Sequence, residues 1–329
     1  MSDNVATKPK KTKLKRYRAE KAEEVKVKIT RKELKKQREL ILITIPFIIY
    51  GFIFCYLPLV GWLMAFENYK PKDGYFKSQW VGLDQFRKLF EDRLFLGDVR
   101  NTLCMGVINL ATGFIMSILF AILLNEVRLA APKKFVQTIS YLPHFLSWII
   151  VTGIVRDMLS MNGGIVNDLL VRFGVLDEPM NFFLKPELFW WIVAFSNLWK
   201  ETGWGSIIYL SAITGINPEL YEAAELDGAG RFAKMWHVTL PGIKSTIFIL
   251  LLINMGNVLN AGFEIQYLLG NGVIQKVSET IDIYVLKWGI GQANYSIGTA
   301  AGIFKSVVAV ILILISNTAA KAAGEERLF

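Results

Sequence analysis

The chain has 329 residues, 53% hydrophobic and 20% charged, with a formal net charge of +9. An average soluble domain holds roughly 25% charged residues, so the composition argues against the pair of soluble domains that the length alone suggests. The charge is also uneven: residues 1–39 hold 15 Lys and Arg against 6 Asp and Glu, while the other 290 hold 22 of each. A basic nucleic-acid-binding domain is thereby excluded, because the excess positive charge belongs to a tail.

Taken in order, residues 1–39 are polar, charged and poor in aromatics. This predicts disorder ending in a short helix near 31–39, a cytoplasmic topogenic tail lying on anionic membrane lipid. A helix needs about 20 mostly apolar residues to cross the hydrocarbon core. Six runs qualify: 40–66, 102–124, 135–155, 188–210, 245–263 and 295–319. The first, 27 residues without a charge, is too long and starts too late to be a cleavable signal peptide. Pro143 and His144 interrupt the third, Lys200 and Glu201 the fourth, and Lys305 lies in the sixth. The predicted fold is an all-α integral membrane protein with six transmembrane helices over residues 40–319, closed by a short cytoplasmic tail, 320–329.

Orientation follows Lys and Arg placement. With the N-terminus inside, the inner segments hold 23 Lys and Arg and the outer segments 12. Without the tail the balance reverses, 8 against 12, so the expectation of two cytoplasmic termini rests on residues 1–39.

The inner segment 211–244 is patterned rather than loop-like. Asn217 can cap a helix, Pro218 suits its first position, and Glu219 complements the positive end of the helix dipole. A helix over 218–227 is expected, stopped by Gly228, then a second from near Arg231 that stops before Pro241. Such a pair forms a rigid knob. Small Ala223 and Ala224 beside Glu222 let a partner surface approach while the carboxylate meets a basic group. Periodicity alone equally allows an ordinary amphipathic connector.

Glu222-Ala223-Ala224, three residues, Gly228, nine residues, Val238, one residue, Leu240-Pro241 resembles the EAA signature of permease subunits of binding-protein-dependent ABC importers. Val stands at 238 where that pattern has Ile. The likeness continues in Trp80-Val81-Gly82-Leu83-Asp84-Gln85-Phe86, in Asn101-Thr102-Leu103, and in Ala300-Ala301-Gly302-Ile303-Phe304-Lys305-Ser306, and covers about residues 40–325. These segments look like the carbohydrate-importing, polysaccharide-type branch, akin to the maltose-transporter permease. The resemblance implies a type I ABC importer permease fold in the bacterial plasma membrane. Its implied partners are a second homologous permease, two ATPase subunits carrying ATP and Mg, an extracytoplasmic solute-binding protein, and an oligosaccharide. It further implies that Glu222 pairs with a basic residue of the ATPase, that Ala223, Ala224 and Gly228 permit the close fit, and that Asp227 and Arg231 brace the turn.

The chain itself offers no catalytic set, metal centre or cofactor site. Gly242-Ile243-Lys244-Ser245-Thr246 lacks the glycines of a phosphate loop. Cys55 and Cys104 lie in apolar runs without metal-ligand spacing, and His144 beside Pro143 reads as packing or pore-lining rather than as a proton relay. Polar residues inside a span face protein or water. On the fifth span Asn254, Asn257 and Asn260, followed by Glu264, fall within about 120° of arc at 100° per residue, opposite Leu251, Leu252 and Leu259. These amides suit either sugar hydroxyls or interhelical hydrogen bonds, and the resemblance favours sugar. Trp199 and Trp204 flank the interruption at Lys200 and suit sugar stacking or interfacial anchoring. Lys305 has three outlets: pairing with Glu264, snorkelling, or meeting an acidic substrate. Gly298 and Gly302 form a GxxxG pair for close helix packing. An ion-gradient secondary transporter and a permease for a non-sugar solute are the alternatives, the former weakened by the lack of an evident repeat.

Overall fold

The structure, a computed structural model, describes residues 37–322. The basic tail expected over 1–39, with its short helix near 31–39, and the tail over 320–329 fall largely outside the described residues. The chain divides into two compact units, Met1–Val60 and Gly61–Phe329. In the first, the helix Arg38–Gly51 runs into a π-turn at Phe52–Tyr56. Thr44, polar within this apolar run, returns its hydroxyl to the carbonyl of Leu40 at 2.8 Å, which lets it sit in an apolar setting. The 3₁₀ stretch Leu57–Phe66 carries the boundary between units.

The second unit is organised by two long helices, Arg93–Asn125 and Pro186–Thr214, which pack along one another, and by Tyr295–Ala322. All three overrun the apolar runs. The second span, expected from residue 102, starts at Arg93 because the Asp92 carboxylate accepts from the Leu94 amide at 2.9 Å and caps the helix outside the apolar stretch. Among the described residues three helices are long and apolar enough to cross a membrane: Arg38–Phe66, Arg93–Asn125 and Tyr295–Ala322. Two bent pairs raise this to five. Pro186–Thr214 has the length, but its tryptophans, Asn197, Lys200 and Glu201 lower its hydropathy.

Neither bent pair is the straight span expected. The third breaks into Ala130–Phe145 and Trp148–Met158, turned by 104°, because Pro143 cannot donate a helical hydrogen bond and Ser147 caps a new helix through the Ile150 amide. The fifth runs only over Lys244–Gly256, then leaves helical geometry until Phe263–Leu269. Here Asn257 competes for the backbone, its Nδ2 donating to the Ile253 carbonyl at 3.3 Å, while its Oδ1 accepts from Asn260 Nδ2 at 3.2 Å.

Three apolar clusters run along the unit. One gathers Leu89, Phe95, Ile281, Tyr284 and Ala300; the second Met105, Phe189, Val193, Ile265 and Leu269; the third Ala121, Ile122, Tyr209, Ile213 and Ile243. Asn101 Nδ2 donates to the carbonyls of Lys276 and Glu279, both at 2.9 Å, whereas Ile122 packs with Ile243 beside the 211–244 segment. Both residues lie on Arg93–Asn125, about 32 Å apart at 1.5 Å per residue. The 264–294 segment and the 211–244 segment therefore occupy opposite ends. A two-residue antiparallel pair, Glu67–Asn68 with Gln79–Trp80, finishes the end bearing 264–294. Gly298 packs against Gly289 of this same chain, where a Cβ would lie 2.7 Å from the Gly289 Cα, while Gly302 borders open space. The GxxxG pair thus seats a local segment through one of its two glycines.

Candidate functional site

The 211–244 segment folds as the expected pair of short helices, with two changes. The first helix is Pro218–Leu226, capped by Asn217, whose Oδ1 accepts from the Glu219 amide at 3.1 Å. It ends one residue earlier than expected, in a Schellman motif: the Ala229 amide reaches the Ala224 carbonyl at 2.8 Å and the Gly228 amide the Glu225 carbonyl at 3.0 Å. Gly228 sits at φ +79°, where an L side chain costs about 1–2 kcal/mol. The second helix does not stop before Pro241. It runs over Arg231–Gly242 through a π-turn at Met235–Thr239, which widens the ladder where the proline would meet the preceding turn. It then bends by 60° into Lys244–Gly256.

The knob is held internally by the Tyr221 hydroxyl and Thr239 Oγ1, 3.0 Å apart, with Thr239 buried. Asp227 and Arg231 do not brace the turn: both are exposed and no contact joins them. That role falls to the backbone of the Schellman motif and to Lys234, 3.6 Å from Glu225. Glu222 and Ala223 are exposed, Ala224 half-buried, and Glu222 has no partner among the described residues. Beside them Leu226 is 90% exposed, Phe232 82% and Trp236 69%. The helix pair thus presents a carboxylate without a partner among the described residues together with three large exposed apolar side chains.

Polar groups also converge between the long helices. A cavity of about 290 Å³ is lined by Asn109, Ser117, Glu201, Trp204, Tyr209 and Asn254 among others. His144 stacks on Trp204, centroids 4.4 Å apart and 1° from parallel, with its Nδ1 2.7 Å from Glu201 Oε2. Lys200, 5% exposed, donates to the His144 carbonyl at 2.5 Å and lies 3.4 Å from Glu201 Oε1. The break at Pro143 takes His144 out of regular helix, and the Lys200 ammonium satisfies its carbonyl. An amide, a carboxylate and an aromatic face around one cavity can bind hydroxyl-bearing rings by donors, acceptors and stacking.

The expected solute-path residues divide. Asn254 lines this cavity. Asn257 and Asn260 are exposed but lie past the helix end, so the single helical face expected for them does not exist. Glu264 is exposed in the first turn of Phe263–Leu269. Trp199 faces a separate apolar cavity of about 620 Å³ with Trp191 and Phe195, since five helical residues turn it about 140° from Trp204. Lys305 bonds both carboxylate oxygens of Asp282, at 2.7 and 2.8 Å, and not Glu264. Sequence reasoning missed Asn109 and Asn197, joined at 3.3 Å across the two long helices. Each is a lone uncharged amide inside an apolar run, without the clustering that marks the fifth span.

Residues 113–323 match the family described as binding-protein-dependent transport system inner membrane component. The chain is 46% identical over 297 residues to the polygalacturonan/rhamnogalacturonan transport system permease protein YteP of Bacillus subtilis (strain 168), covering 90% of this chain and 92% of that protein. It is 43% identical over 296 residues to protein LplB of the same organism, with the same coverage. It is also similar to a chain in the crystal structure of a bacterial alginate ABC transporter in complex with alginate pentasaccharide-bound periplasmic protein, at TM-score 0.83 and 40% identity over 90% of this chain and 99% of that one.

Proposed function

Because the chain belongs to the binding-protein-dependent transport system inner membrane component family, we propose that it is the permease subunit of an ATP-driven importer for an oligosaccharide or polysaccharide fragment. It is a multi-pass component of the bacterial plasma membrane and a transport subunit rather than an enzyme. The saccharide reading is supported by the polygalacturonan, rhamnogalacturonan and alginate systems to which it is similar. An extracytoplasmic binding protein delivers the solute to the end bearing 67–100 and 264–294.

The observation that carries the coupling role is the Gly228-terminated helix pair presenting Glu222 without a partner beside Leu226 and Phe232. In this reading Glu222 pairs with a basic group of an ATPase subunit. Ala223, Ala224 and Gly228 set the approach distance, and Asp227 and Arg231 lie on the docking face. Two ATPase subunits bind ATP and Mg, a second homologous permease completes the pathway, and anionic lipid meets the basic tail. The bent pairs and Pro186–Thr214 count as spans, giving six over 40–319 with both termini cytoplasmic. Asn254 with Asn109, Glu201 and Trp204 lines the solute path, and Asn257, Asn260 and Glu264 stand at its mouth.

Cysteines at 222 and 226 should cross-link to a co-expressed ATPase subunit, with a yield that changes on ATP binding. Absence of any adduct in every nucleotide state would refute the coupling role.

A further inference from the structure

We propose that the end of the chain bearing 264–294 carries a second saccharide site, a groove straddling the Asn271–Gly272 turn that holds several sugar units before they enter the membrane path. The inference rests on the permease reading and adds a location and a ligand length to it.

Two cavities, of about 730 and 280 Å³, share Asn271 and Gly272 as a common wall. The larger alone lies within the ~300–1,000 Å³ usual for a bound small molecule, and the second space across the turn suits a chain of sugar rings rather than one. The wall is preformed. Asn271 Nδ2 donates to the Phe183 carbonyl at 2.8 Å, and its Oδ1 accepts from the amides of Val273 and Ile274 at 2.9 and 3.3 Å. The larger cavity offers Asn162, Asn181 and Phe183; the smaller offers Tyr267, Gln275 and Ser278. Amides, hydroxyls and aromatic faces along a groove are what a glycan chain requires.

Two further features point to a ligand. Gln266 on the wall of the smaller cavity is fully buried; its Nε2 donates to the Ala261 carbonyl at 2.6 Å, while its Oε1 has no partner. A buried acceptor without a donor is unfavourable, and a sugar hydroxyl supplies one when the Gln266 amide turns its oxygen toward the cavity. The charges are also unequal. The buried Glu279 carboxylate is neutralised by Lys287, which leaves Arg156 at the far end, its guanidinium oriented by the Leu268 carbonyl, as the unbalanced charge among the lining residues. That end suits an acidic sugar unit. Asn101 bonds the 276–279 segment, and Asn109 of the path cavity lies two turns further along the same helix, about 12 Å away. The groove therefore adjoins the route inward.

The test uses the purified transporter without its binding protein, titrated calorimetrically with galacturonate dimers and hexamers. Wild type should bind the hexamer at least about tenfold more tightly than the dimer. The triple variant Asn162→Ala/Tyr267→Ala/Gln275→Ala, which alters exposed side chains only, should lose that difference. No hexamer binding by wild type, or an unchanged length preference in the variant, overturns the proposal. So does a variant that keeps hexamer affinity but no longer answers the binding protein in ATP hydrolysis, since the groove is then a protein-docking surface. Co-purification with ATPase subunits in the same preparation reports the permease reading separately, so either can fail alone.

Discussion

Lys200 donates its buried ammonium to the carbonyl of His144, 2.5 Å away, at the point where the third span breaks and turns. Two interruptions in the apolar pattern, Pro143-His144 and Lys200-Glu201, are thus one local structure: a broken helix and the charge that satisfies its freed backbone. The carboxylate of Glu201 and the ring of Trp204 are held at the cavity wall as a result.

Lys200→Met should therefore destabilise the protein by about 2 kcal/mol, the worth of a charged hydrogen bond to a buried carbonyl. Thermal unfolding of the detergent-solubilised chain measures this. A melting temperature equal to wild type would show that the bend holds without the ammonium.

Trp204→Leu and Trp199→Leu separate the two cavities. Loss of the ring stacked on His144 should lower uptake by up to about tenfold, the scale of an aromatic stacking contact. Trp199→Leu should leave uptake within about twofold, because Trp199 faces the apolar cavity with Trp191 and Phe195. Equal effects would mean that the 140° between them has no consequence for transport.

At the proposed coupling knob, Gly228→Asp should abolish uptake while the chain still inserts, since it puts an L side chain at φ +79° on the proposed docking face. Membrane level by immunoblot and solute uptake are read together. Normal transport by a normally inserted mutant would count against the coupling role.

Asn217→Ala should loosen the helix Pro218–Leu226 by about 1 kcal/mol through loss of its cap. Hydrogen exchange of that helix should quicken while exchange across Arg93–Asn125 stays unchanged.

Lys305→Ala should act on folding rather than on solute choice, because its ammonium is held by Asp282. Lower thermal stability, partly restored in the exchange Lys305→Asp/Asp282→Lys, is the expected outcome. A changed preference between acidic and neutral sugars with unchanged stability would return Lys305 to the solute path.

Much of this is legible in the amino-acid sequence. The Asn217 cap, the start of the helix at Pro218 and its stop at Gly228 follow from side-chain chemistry acting over four or five residues. So does the interruption at Pro143. The single face of Asn254, Asn257 and Asn260 was not recoverable, because the 100° rule assumes a helix that continues to residue 260, whereas it ends at Gly256, where the Asn257 amide bonds the Ile253 carbonyl. At the turn between the two short helices, local backbone bonds of the αL residue close the chain, and no ion pair joins the exposed Asp227 and Arg231.

What the sequence determined by itself is whatever depends on near neighbours: the apolar runs, the helix caps and breaks, and the spacing that makes the coupling signature. The tertiary structure alone decided which distant residues meet. Asp282 rather than Glu264 reaches Lys305, Gly289 seats Gly298, and Asn109 joins Asn197. Those pairings depend on helix rotation and on the turns at Ser147 and Asn257, which are set by packing across the whole unit and leave no periodic mark in the chain.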